Sequence, residues 1–174
     1  MIMRTIILVV ALGLVATQAD AQTTACDIKL NVTDPDPAGL NVRASPDGAV
    51  IGALKAKDRW VQAHVTGDAG AWASIDHATL IQDETGGPDV TVFHGHGFVA
   101  FSKLGIETLN EGAAVLAAPA PDAKVLIKFP NDKDASELPK AEALGCDGSF
   151  LKVRVSGVVG WTQQFCSNQL TTCN

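Results

Sequence analysis

Gly39-Leu40-Asn41-Val42-Arg43-Ala44-Ser45-Pro46-Asp47-Gly48-Ala49-Val50-Ile51-Gly52-Ala53-Leu54 is the stretch whose reading decides the fold. Apolar and polar residues alternate through Leu40, Val42 and Ala44, a Ser-Pro-Asp-Gly turn follows, and Val50, Ile51 and Leu54 resume the apolar pattern. That spelling predicts a strand, a tight turn and a second strand. A weaker copy runs from Ala114-Val115-Leu116-Ala117 through Pro119, Pro121 and Asp122 to Val125-Leu126-Ile127. In the copy Asn41 and Arg43 give way to Ala114 and Leu116. The same unit written twice predicts an all-β chain of two small barrels in tandem.

Working outward, residues 26–32 alternate with period two and predict an edge strand, which Pro35 and Pro37 end by removing ladder donors. Residues 60–65 and 72–75 predict two more strands, with a turn over 67–70 between them. The segment 76–96 reads as a lengthened hairpin or exposed loop, with Asp83-Glu84-Thr85-Gly86-Gly87-Pro88-Asp89 as its turn. Residues 104–112 form a connector, and 129–142 a polar exposed loop in which Ser136 would cap a short helix over 136–144. Strand pattern resumes at 144–155, turns at Ser156-Gly157 and returns through 158–162.

Leu40-Asn41-Val42-Arg43-Ala44-Ser45-Pro46 followed by the Gly48-Ala49-Val50-Ile51-Gly52 run resembles the opening of a bacterial SH3-like (SH3b) domain. Trp72-Ala73-Ser74-Ile75 and Gly97-Phe98-Val99 with Leu104 are similar to that family's later strands, Phe98 standing where a tryptophan is usual. In the second copy Phe150-Leu151-Lys152-Val153 and Gly160-Trp161 occupy these positions. The resemblance implies a first barrel over 22–108 with an insertion at 76–96, and a second, divergent barrel over 109–174. It also implies a groove between loops that docks an extended peptide or a peptidoglycan stem. Arg43, Trp60, Trp72 and Trp161 are the ligand-binding candidates, although the alternating strands around Trp72 and Trp161 suit core positions.

Residues 1–21 carry one basic residue, Arg4, then an apolar run, then Ala19-Asp20-Ala21, the pattern of a secretory signal peptide. The apolar run is short of the roughly 20 residues a membrane span needs. Thr23-Thr24-Ala25 before Cys26 lacks a lipobox aliphatic residue. The expected location is therefore periplasmic or secreted, and not membrane-embedded. The formal net charge of −6 argues against nucleic acid and against adsorption on anionic lipid. Cys26, Cys146, Cys166 and Cys173 all follow the leader, and an even count in an oxidising compartment predicts two disulfides with three possible pairings. Continuing the hairpin about Ser156-Gly157 brings Cys146 within one position of Cys166, which would leave Cys26 to Cys173.

No catalytic constellation is legible. Cys146 has no histidine downstream to activate it, since His64, His77, His94 and His96 all precede it. There is no Gly-x-Ser-x-Gly elbow, phosphate loop or His-Glu-x-x-His pair. No cofactor is expected. His94 and His96, at i and i+2, are an incomplete metal set that would need His64 or His77 to join it, so no metal is expected either. The function these residues suggest is a non-catalytic exported module that binds cell-wall peptide or an envelope protein. Its rivals are a structural or accessory protein without a ligand of its own and an accessory to a cell-wall hydrolase.

Overall fold

The computed structural model describes residues 23–57, 59–82 and 87–167; the predicted leader 1–21, positions 83–86 of the predicted turn, and Cys173 lie outside the described residues. Among the described residues the chain is all β, with no α-helix and two 3-10 turns, at Phe101–Lys103 and Ala135–Glu137. None of them forms a helix long and apolar enough to cross a membrane.

The first half contributes β1 (Thr24–Val32), β2 (Leu40–Arg43), β3 (Val50–Leu54), β4 (Trp60–Ala69), β5 (Trp72–Ile81), β6 (Val90–Ala100) and β7 (Leu104–Gly105). They make one seven-stranded sheet in the order β3-β2-β6-β5-β4-β1-β7. The organising stretch folds as the expected hairpin, with Leu40 paired to Leu54 and Val42 to Gly52. Leu40, Val42 and Leu54 go inward, whereas Val50 and Ile51 stand exposed on the outermost strand. Residues 26–32 are not at the edge, because β1 pairs with β4 along its length and with β7 at its end. Most of 76–96 lies in the long hairpin of β5 and β6.

The second half supplies β8 (Thr108–Leu109), β9 (Ala114–Leu116), β10 (Val125–Lys128), β11 (Glu142–Asp147), β12 (Phe150–Val155), β13 (Val158–Thr162) and β14 (Phe165–Cys166). Five of these form a sheet in the order β10-β9-β13-β12-β11, while β8 and β14 make a separate ribbon. The predicted helix over 136–144 is absent: Pro139 lacks the amide a helix interior needs, and the chain makes one 3-10 turn, with Asp134 accepting from the Ser136 amide, before β11 starts.

The five-stranded order repeats β3-β2-β6-β5-β4 of the first sheet, and individual contacts recur with it. Arg43 faces Phe98 as Leu116 faces Trp161, and Ser74 faces Phe98 as Lys152 faces Trp161. Gly97 and Gly160 recur too. A Cβ on Gly97 would stand 2.4 Å from Val42 Cγ1, and one on Gly160 would stand 2.5 Å from Val115 Cγ1. Both positions need a residue without a side chain so that β6 and β13 can lie against the buried valine of the neighbouring strand. Buried side chains of both sheets, Leu30, Val42 and Ile75 with Val115, Leu151 and Val153 among them, form one contiguous cluster.

The cystine is where the expectation fails. Cys26 is bonded to Cys146, across a sequence separation of 120 residues, and not Cys146 to Cys166. The β12–β13 hairpin does turn at Ser156-Gly157, pairing Val155 with Val158. Its ladder stops at Leu151, however, because the chain reverses at Gly148 (φ 54°) and β11 pairs with the opposite edge of β12. Cys146 is thereby carried away from β13 and set against β1. Cys166 is also disulfide-bonded.

Two outcomes follow. Gly160→Ala should destabilise the fold by about 1–3 kcal/mol, since Leu116 backbone oxygen also lies 2.6 Å from the added carbon, and a lowered urea midpoint checks it. Non-reducing peptide maps should join Cys26 to Cys146, and replacing both by serine should remove about 2–5 kcal/mol.

Candidate functional site

Alternation on the first sheet sets a polar outer face. Along β4, Val61, Ala63 and Val65 go inward and Gln62, His64 and Thr66 outward; along β1, Ile28 and Leu30 go inward and Asp27 and Lys29 outward. On β5 the pattern breaks. His64 faces His77 while Val65 faces Ile75, which leaves Asp76 as an extra residue in the ladder. Such a bulge re-aims side chains, and here Asp76 and His77 emerge on the same side although they are consecutive.

The result is a convergent cluster. Asp76 Oδ1 lies 2.7 Å from His64 Nδ1 and 2.6 Å from His77 Nδ1, while His64 Nε2 lies 2.9 Å from Asp27 Oδ1. The imidazole rings are 4.8 Å apart. Lys29 on β1 is the register neighbour of His64, and His94 on β6 that of His77, so a row of four basic side-chain positions crosses four strands. A cavity of about 100 Å³ opens beside the row, lined also by Gln62, Thr79, Ile81 and Asp89.

Partial burial of His64 works against its charge. The hydrogen bonds it donates to Asp27 and Asp76, with the charge of those carboxylates, outweigh burial and hold its pKa above 6.5. Asp76 shows the mirror case: desolvation works against the carboxylate, but His64 and His77 donate to it and hold its pKa below 3.8.

A second feature lies at the end of the same sheet. Val32, Thr33, Asp34 and Pro35, where β1 ends, and Ala56, Lys57, Arg59 and Trp60, where β4 begins, line an open groove of about 570 Å³. Trp60 is 39% exposed there, with the two cations beside it. Asp34 is held by Lys103, 3.3 Å away.

The other sequence candidates are placed differently. Arg43 braces its own hairpin, donating to Gly48 O at 2.7 Å and lying 5.8 Å from the Trp72 ring centre. Trp72 and Trp161 are half-buried within their strands, Trp161 lying 5.5 Å under the Lys152 ammonium. His96 packs edge-on to Phe98 at 4.9 Å, and the cluster that assembles is His64, Asp76 and His77. Asp27, Asp76, Lys57 and Arg59 were passed over by sequence reasoning; the Asp76-His77 pair was a visible signal only to a reader who knew of the bulge.

The two shifts give the cluster a pH window. His64, raised, stabilises the fold fully below 6.5 and loses that contribution as pH rises through its folded pKa; Asp76, lowered, contributes above 3.8 and loses it as pH falls through its own. Urea midpoints in chelator should therefore fall as pH rises above 6.5, and His64→Gln should flatten that slope.

Neither a protein-family profile nor a curated protein matches this chain. Among solved structures, that of NlpC2 from Trichomonas vaginalis is similar over 90% of this chain, with 12% identity and a TM-score of 0.33, and the chain spans 53% of that structure's length.

Proposed function

We propose that the chain is a non-catalytic exported binding module that recognises cell-wall peptide through the groove at Trp60. The observation that carries the reading is the exposed Trp60 indole set beside Lys57 and Arg59 over an open trough. An indole offers a flat apolar face to an extended peptide, and two cations match the carboxylates that stem peptides carry. Support comes also from the strand order that recurs in both sheets, which suits two SH3-like barrels in tandem, and from a leader that would deliver the protein to the wall.

An envelope protein is the second reading, favoured by a separate observation. Val50 and Ile51 are each 51% exposed on β3, the outermost strand, where a partner's strand could add to the sheet.

Co-sedimentation with purified sacculi separates them. Under the cell-wall reading the protein pellets with sacculi, Trp60→Ala weakens binding about tenfold or more, and Arg59→Ala weakens it most at low salt. A protein that stays in the supernatant sinks that reading. Loss of a cross-linked envelope partner on Ile51→Lys, with Trp60→Ala neutral, would establish the other.

A further inference from the structure

We propose that His64, Asp76 and His77 form a binding site for a first-row divalent transition metal ion, with Zn²⁺ as its representative, and that Asp27 orients the site. The proposal is independent of what occupies the Trp60 groove. His64, Asp76 and His77 each offer one donor atom, the three lying within 4.8 Å of one another, and both Nδ1 atoms already contact Asp76 Oδ1. Two imidazoles and a carboxylate suit zinc and its neighbours in the row; calcium and magnesium want shells made of oxygen.

The site forms after its exposed ligands rearrange. Donors held at about 2.0–2.1 Å by a tetrahedral ion stand about 3.3 Å apart. The present contacts of 2.6 and 2.7 Å must therefore open, and the widest donor separation, up to 4.8 Å, must close by about 1.5 Å. Asp76 and His77 can do this, their side chains being 51% and 37% exposed. An ion then takes the place now filled by the protons shared between the two Nδ1 atoms and Asp76.

An independent feature points the same way. His64 presents Nδ1 to the site and gives its other nitrogen, Nε2, to Asp27 Oδ1 at 2.9 Å. Metal-bound histidines characteristically donate their remote N–H to a carboxylate, which fixes the tautomer and the ring plane. The bulge adds a third reason. Without the extra residue Asp76 would not share a face with His77, and the ladder would keep its register. The surroundings favour a cation: Asp27 and Asp76 contact the histidines and Asp89 lines the cavity, against the single ammonium of Lys29. Three protein donors leave at least one coordination position open on the solvent side, so the site would accept a further ligand from outside.

The experiment is a calorimetric titration of the tag-free protein, stripped with chelator, with Zn²⁺ alone. One equivalent should bind in the micromolar range or tighter, and the imidazole resonances of His64 and His77 should shift while that of His96 stays. Asp27→Asn should weaken binding by roughly 10–100-fold, and His64→Gln or His77→Gln by more. His96→Gln should leave it unchanged, and millimolar Mg²⁺ should not compete. Circular dichroism on each variant separates lost binding from lost fold, and the resonance shifts in the unaltered protein stand without any variant. No heat and no shift of either resonance overturns the proposal; so does binding that survives His64→Gln and His77→Gln together.

Discussion

The rest of the structure depends on the seam where β1 meets β11. Cys26 and Cys146 are joined there, and the covalent bond is flanked by two reciprocal amide contacts, Asp27 N–H to Gly148 O and Gly148 N–H to Ala25 O, each 2.8 Å. Asp68 adds a third tie. Its Oδ2 accepts the Cys146 amide at 3.0 Å while its Oδ1 accepts the Gly70 amide at 2.7 Å in the β4–β5 turn. One carboxylate thus closes a hairpin of the first sheet and receives a strand of the second. Asp27, whose backbone is held at this seam, is also the residue that orients His64, so the placement of the histidine cluster is inherited from the joint between the sheets.

The two halves use one strand order and spend it differently. In the first sheet β5 and β6 are long enough to extend well past the shared core, and the added length carries the bulge, His77 and His94. The corresponding β12 and β13 are short and meet at a two-residue turn. Polar chemistry accordingly gathers on the first sheet, and the second supplies buried apolar residues such as Leu151, Val153 and Val155 to the common interior.

Legibility followed the range of the interactions. The hairpin at Leu40–Arg43 and Val50–Leu54 was readable because alternation and a Ser-Pro-Asp-Gly turn are local signals. So was its fainter copy, whose register against β13 repeats that of β2 against β6. The cystine was not readable: a hairpin ladder extrapolates only while its strand continues, and this one ends at Leu151, five residues short of Cys146, before the chain reverses at Gly148. Asp76 was hidden for a related reason, since period-two counting sends consecutive residues to opposite faces and a bulge is a property of the pair of strands. Trp60 could be named as a candidate, but the cations beside it come from a loop that no periodicity marks.

The wide span between Cys26 and Cys146 carries a consequence for how the protein matures. A polypeptide made from its amino terminus exposes Cys26 first and Cys146 next, with Cys166 and Cys173 still to come. The mate of Cys26 is the next thiol along the chain, so pairing in the order of synthesis would give the observed linkage among the three that four thiols allow. Doubling a loop adds only about 0.6 kcal/mol to the cost of closing it, and the distance along the chain is therefore a small obstacle to the bond.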